Sequence, residues 1–142
     1  LYETANTSII GLKSIRKEQT RSYGIVAGEP VGHRFIKVNQ LVEKPAPEEA
    51  PSNLAISGRY ILSPQVFKLL RAQAPGVGGE IQLTDSLVKL ASLEPMFGLE
   101  YEGKTYDCGS KLGFMQASVL IASTHSEIGR DFEDWLESFN AV

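Results

Sequence analysis

At residues 42–45 the sequence reads "VEKP", an acid and a base side by side with a proline behind them. On an extended segment neighbouring side chains point to opposite faces, so Glu43 and Lys44 are not expected to pair simply with one another. Glu43 suits the hydroxyls of a sugar, as a hydrogen-bond acceptor, and Lys44 suits a phosphate, as a compact cation. Solvated surface charge is the plain alternative for both. Tyr23-Gly24 opens an apolar stretch, where a glycine either marks strand entry or lets a ligand approach the backbone. Asn53, just ahead of "LAISGRYIL", is a turn residue or an amide reaching into a pocket. In "GVGGEIQLTD", Glu80 and Gln82 precede a helix; Thr84 and Asp85 suit the capping of its first turn, and the loop suits a sugar. In "YDCGSKLG", Asp107 stands near another helix start, as a cap or as a hard oxygen ligand for Mg2+; Lys111, one turn on, reads as solvated.

Other reactive types carry less. His33 and His125 are isolated, lack metal-ligand spacing and read as surface residues. Cys108 has an acid before it and no adjacent base, so it reads as a small buried residue and not as a nucleophile. No G-x-S-x-G nucleophile motif occurs.

These residues need elements to hold them. "SIIGL" is short and β-branched, the pattern of a buried strand, and "KSIRKEQTRS" is a polar loop or short helix. "YGIVAGEPV" and "FIKVNQLVEKP", separated by the turn residues of "GEPVGHR", predict an antiparallel pair over residues 23–44. "APEEAPSN" is a loop whose prolines exclude a ladder, and "LAISGRYIL" is a further strand. Helices follow at "SPQVFKLLRAQ", with Ser63 as N-cap and Pro64 at the first helical position, and at "QLTDSLVKLASL", with Leu83, Leu87, Leu90 and Leu93 near helical spacing. "APGVGGE" breaks the chain between them. "PMFGLEYEGKTYD" predicts a strand and a turn at Gly103-Lys104. Helices then close the sequence at "KLGFMQASVLIAST" and "SEIGRDFEDWLESF", the latter with Phe132, Trp135, Leu136 and Phe139 on one face and Asp131, Glu133, Asp134 and Glu137 on the wet one. This mix predicts an α/β fold with a partly antiparallel sheet.

The chain has 142 residues, 42% hydrophobic and 22% charged, as expected of one soluble globular domain. A net charge of −3 without a basic stripe gives no footing for nucleic acid. No apolar run is long enough to span a membrane, and no signal-peptide pattern is present. One cysteine excludes an internal disulfide and fits a reducing cytoplasm. "LYETANTSIIGL" starts in mid-pattern, with "LYE" reading as the tail of a helix, so a piece of a longer protein is expected.

Taken in order, "YGIVAGEP", "LVEKPAPEEAPSNLAISGRYIL", "GGEIQLTDSL" and "YEGKTYDCGSKLGF" resemble the C-terminal half of the bacterial UTP–glucose-1-phosphate uridylyltransferase family, over residues 1–122. The resemblance implies a Rossmann-like nucleotidyltransferase fold, a mixed sheet flanked by helices. It implies in-line attack of glucose 1-phosphate on the α-phosphate of UTP, giving UDP-glucose and pyrophosphate. On that likeness Lys44 contacts the sugar phosphate as the catalytic cation and Glu43 accepts from glucose hydroxyls. Gly24 lies against the sugar, and Asn53, Glu80 and Gln82 line or support its pocket. Asp107 is the implied ligand of Mg2+, the implied cofactor. The family's glycine-rich nucleotide loop and first metal-binding aspartate have no counterpart here. Residues 1–142 are thus expected to be the sugar-phosphate half of one domain, acting only with a nucleotide-binding N-terminal half. A sheet divided in this way would show an apolar edge. Residues 125–142 are a candidate oligomer contact in a homo-oligomeric full-length enzyme. The rival readings are a non-catalytic sugar-phosphate-binding or assembly module, and a pyrophosphorylase for another sugar or base.

Overall fold

Alternation along the first strand sets the interior. In β1 (Ser8–Ser14), Ser8, Ile10 and Leu12 are fully buried while the residues between them are half-exposed, the period-two pattern of a strand with one face inward. The computed structural model describes residues 7–76 and 79–140. The "LYE" segment and Val77-Gly78 of the glycine-rich loop lie outside them.

A 3-10 helix, Lys17–Ser22, follows β1 in the polar stretch. The expected antiparallel pair is β2 (Gly24–Gly32) with β3 (Phe35–Glu43). Its turn is tighter than the Gly and Pro content suggested: β2 runs on through Pro30, and Gly32 (φ 145°) and Arg34 (φ 66°) reverse the chain around His33. The fourth strand, β4 (Leu54–Ile61), pairs antiparallel with β1 and, at Leu54 and Ala55, with β2. The fifth, β5 (Met96–Glu100), lies parallel to β1 and antiparallel to the start of β3. The sheet is mixed, as the sequence predicts, but among the described residues it closes on itself in the order β1-β4-β2-β3-β5. The expected apolar edge is therefore not formed by β1, which is paired on both sides. Closure comes through the start of β3, where Phe35, Ile36 and Lys37 pair with β2 on one side and with β5 on the other.

Two helices cover the ring. The first, α1 (Gln65–Ala72), buries Val66, and α2 (Leu83–Leu93) buries Leu87 and Leu90 without residual exposure. Together with Ile10, Leu12, Val26, Val38, Leu41, Ile56 and Met96 these form the core; each fully buried large aliphatic contributes about 1.5–3 kcal/mol. Leu93 leaves the predicted stripe and is 61% exposed at the last turn. Ser63 does not cap α1: the N-cap position is Pro64, and the Ser63 hydroxyl donates to Glu94 Oε2 at 3.0 Å. Ser8 donates to the other oxygen of Glu94 at 2.7 Å. A carboxylate at the end of α2 opposes the helix dipole, and these two hydroxyls offset that.

The chain packs as two compact units, one ending at Tyr101 and one starting at Glu102. The second consists of α3 (Lys111–Ser123) and α4 (Gly129–Asn140) with the loop ahead of them. Ser110 caps α3, accepting from Gly113 N–H at 3.0 Å. On α4 the rings of Phe132 and Trp135 lie 5.6 Å apart and those of Trp135 and Phe139 5.7 Å apart, with Trp135 and Phe139 more than half exposed. The acidic residues predicted for its wet face are exposed. Among the described residues no helix is long and apolar enough to cross a membrane.

Candidate functional site

The hairpin register brings two of the singled-out motifs to one point: Gly24 at the start of β2 stands opposite Glu43 at the end of β3. Behind them runs β4, and beside them the first turn of α2. The four segments enclose an open cleft of about 360 Å³ lined by Lys13, Tyr23, Gly24, Glu43, Ile56, Ser57, Tyr60, Gln82 and Thr84, among others.

Glu43 is its fixed charge. The carboxylate accepts from the Thr84 hydroxyl at 2.6 Å through Oε2, and Lys44 Nζ lies 3.8 Å from Oε1. The second contact corrects the expectation that Glu43 and Lys44 diverge. The alternation rule holds only while the backbone stays extended, and the strand ends at Glu43. Lys44 takes φ 46°, in the left-handed region that costs a side-chain-bearing residue about 1–3 kcal/mol. Its neighbours hold it there. Lys44 N–H donates to Tyr23 C=O at 3.1 Å, and the buried Thr20 hydroxyl donates to Pro45 C=O at 3.1 Å. Lys44 does not itself line the cleft but adjoins it through Glu43, and strain held by long-range hydrogen bonds is the kind found at ligand-binding positions.

Gly24 has a steric reason to lack a side chain. A Cβ there would meet Ile56 Cδ1 at 2.9 Å and press at 3.1 Å on Glu43 Oε2 and on Thr84 Oγ1. A methyl group would wedge into the hydrogen bond that fixes the carboxylate.

The remaining residues divide. Gln82 lines the cleft and its amide donates to Glu80 Oε2 at 3.3 Å, which leaves Glu80 exposed behind it, outside the lining. Asn53 lies outside as well: its side chain is exposed and its carbonyl accepts from Ile15 N–H at 3.0 Å, a joint between loops. Asp107 belongs to the second unit. There it is exposed and accepts from Gly109 N–H at 3.0 Å in a local turn, while Ser110 is the helix cap. Cys108, expected to be buried, is exposed because it sits on this same turn. His33, His125 and Lys111 are exposed, as read from the sequence.

Three participants escaped the sequence reading. Thr84 was a cap candidate, but α2 has Gln82 at its N-cap with no side-chain cap, and the Thr84 hydroxyl serves Glu43 instead. Tyr60, part of a plain strand motif and 38% exposed, lines the cleft; its partial burial first, and the charge of Glu43 second, push its phenol above the usual tyrosine range. Lys13, read as part of a polar loop, lies on β1 with its Nζ 4.4 Å from the centre of the Tyr23 ring. For Thr84 the signal was present in the polar run "EIQLTD"; for Tyr60 and Lys13 only the register supplies it.

Comparison with known proteins gives a consistent likeness. The family model described as nucleotidyl transferase matches residues 2–124. A UTP–glucose-1-phosphate uridylyltransferase of Pseudomonas aeruginosa is 47% identical over 118 residues, covering 83% of this chain and 42% of the relative. One of Streptococcus pneumoniae is 41% identical over 136 residues, covering 95% and 46%. Among solved structures, a UDP-glucose pyrophosphorylase complexed with UDP-glucose superposes with a TM-score of 0.78 at 39% identity, over 82% of this chain and 44% of the other. A UTP-bound UGPase from Acinetobacter baumannii gives 0.80 at 32%, over 95% and 46%. The chain thus spans less than half the length of these relatives.

Proposed function

The chain belongs to the nucleotidyl transferase family, and from that membership we propose that it forms the sugar-phosphate side of a UTP–glucose-1-phosphate uridylyltransferase. The reaction is in-line attack by a phosphate oxygen of glucose 1-phosphate on the α-phosphorus of UTP, with pyrophosphate leaving. Such a transfer needs alignment and charge neutralisation more than covalent help. The observation that carries this reading is the Glu43 carboxylate seated in the cleft by Thr84, with the strained Lys44 beside it.

Each residue then has a task. Glu43 accepts from glucose hydroxyls with its orientation already set, so little ordering is left for the moment of binding. Lys44 leaves its loose, half-exposed pairing with Glu43 to cover the sugar phosphate, an exchange that costs little because exposed pairs are weak. Gly24 keeps the floor flat, and Gln82, braced by Glu80, completes the wall. Asn53 supports the pocket from outside through its backbone. For Mg2+, Asp107 offers one exposed carboxylate, and among the described residues no three His, Cys, Asp or Glu gather into a metal site. One carboxylate suits Mg2+, whose remaining ligands are water and substrate phosphates. When bound, the ion neutralises phosphate charge; Asp107 is the ligand we assign it. A nucleotide-binding half is required for turnover, so this chain alone is expected to bind but not to react. The setting we propose is the cytoplasm and carbohydrate metabolism. Homo-oligomers of the full-length enzyme are proposed to use the exposed aromatic face of α4, which sedimentation of a Trp135→Ser variant tests.

The experiment is a calorimetric titration of the chain with UDP-glucose and Mg2+, repeated with Lys44→Ala. Saturable binding that the substitution abolishes supports the reading. A folded chain that binds nothing removes it.

A further inference from the structure

One buried side chain outside the cleft ties together the segment on which Glu43 depends. Gln73, directly after α1, is only 9% exposed. Its Nε2 donates to the carbonyl of Gln82 at 2.9 Å and reaches Asp85 Oδ2 at 3.5 Å, and its Oε1 accepts from the fully buried Ser86 hydroxyl. The orientation of the amide is fixed by chemistry, because a carbonyl can only accept and so must face the NH2 end. Three residues of the first turn of α2 are thereby held by one side chain, and between them stands Thr84, donor to Glu43. Since Gln82 has no side-chain cap of its own, this clamp also supplies order that the helix start would otherwise lack.

We propose that Gln73 is a positioning residue for the cleft: by clamping the first turn of α2 through Gln82 and Ser86 it holds the Thr84 hydroxyl on the Glu43 carboxylate. The inference rests on the reading of Glu43 as a sugar contact. Gln73 touches no ligand in this scheme; it acts through Thr84. A purely structural glutamine would lower stability and leave the cleft's affinity to follow independently of Thr84. A positioning glutamine has an effect on affinity that vanishes once Thr84 can no longer donate.

The test is a cycle of UDP-glucose titrations on the chain, Gln73→Met, Thr84→Val and the double variant, all with Mg2+. Gln73→Met is expected to weaken binding about fivefold to tenfold, less than outright loss of a hydrogen bond to a charged group because the Thr84 donor is loosened and not removed, and the double variant to bind no more weakly than Thr84→Val alone. Unchanged affinity in Gln73→Met, or effects that multiply in the double variant, overturns the proposal. Ser86→Ala guards against a Gln73→Met chain that fails to fold. It frees the amide without removing it and should weaken binding about twofold to threefold, again with no further loss in the Thr84→Val background; no effect counts against the clamp. A parent chain that does not bind UDP-glucose instead overturns the underlying function, and is told apart from failure of the clamp because it precedes any substitution.

Discussion

Replacing Thr84 by valine isolates the bond on which the site is built. Valine matches threonine in volume and branching, so no cavity opens, and only the donor to Glu43 is lost. That donor spans 2.6 Å to a carboxylate from a residue 7% exposed. Hydrogen bonds to charged groups contribute about 1.5–3 kcal/mol. The Glu43 side chain is itself a quarter exposed, so water recovers part of the loss. The remaining pairing with Lys44, at 3.8 Å and half in solvent, adds less than about 1 kcal/mol. The expected destabilisation is therefore near the lower end, about 1.5 kcal/mol. In urea, with a slope of about 2 kcal/mol/M, the midpoint should fall by about 0.7 M with no change in slope. The probe matters: the only tryptophan, Trp135, belongs to the second unit, so far-ultraviolet dichroism or tyrosine signals must report on the cleft's unit. A cycle with Glu43→Gln should return a coupling of about 1 kcal/mol between the two positions. A midpoint unmoved by Thr84→Val, or a coupling near zero, refutes the claim that this bond fixes the carboxylate.

Gly24→Ala should destabilise by about 1–2 kcal/mol, the overpacking cost less what alanine saves in unfolded-chain entropy, checked by urea unfolding; a neutral result means Glu43 and Thr84 part without loss. Lys44→Gly should raise stability by up to about 1 kcal/mol, since glycine accepts positive φ freely, whereas Lys44→Ala in the full-length enzyme should cut turnover more than about tenfold. Any fall in stability for Lys44→Gly speaks against strain at that residue. The Tyr60 phenol should titrate above the ordinary tyrosine value near 10 in a pH-difference ultraviolet scan, and Glu43→Gln should move it part of the way back, because burial, the larger cause, remains. The folded chain holds this proton more tightly than the unfolded one. Its contribution to stability is complete below the ordinary value near 10 and is lost as pH climbs through the raised one. A Tyr60 that titrates at the ordinary value contradicts its partial burial beside Glu43.

Local rules served where neighbours in sequence decide the outcome. The β2–β3 hairpin and the helices after "SP" and "EIQ" follow from periodicity and from glycine and proline, the expected turn at Gly103-Lys104 is only a bend at Gly103 (φ 135°), and four motifs in order pointed to the family. Local rules misled where a partner far along the chain wins a side chain. Ser63 and Thr84 have the chemistry of caps, yet Glu94 and Glu43 take their hydroxyls. Lys44 was placed by alternation, and hydrogen bonds from Thr20 and to Tyr23 bend it out of that pattern. The closure of the sheet was invisible because β3 reads as one strand while pairing with two different neighbours.

That closure also sets the order in which the protein can be made. Ser8 finds its parallel partner only at Met96, and β1 meets β4 only after the hairpin has been laid down. During synthesis β1 leaves the ribosome ahead of both its partners and must wait, apolar and unpaired, until β4 and β5 have followed. Contacts of such long separation make folding slow and hold exposed strands open to wrong partners. Truncation anywhere before Glu100 should for this reason yield no partially folded ring, but a chain dependent on chaperones.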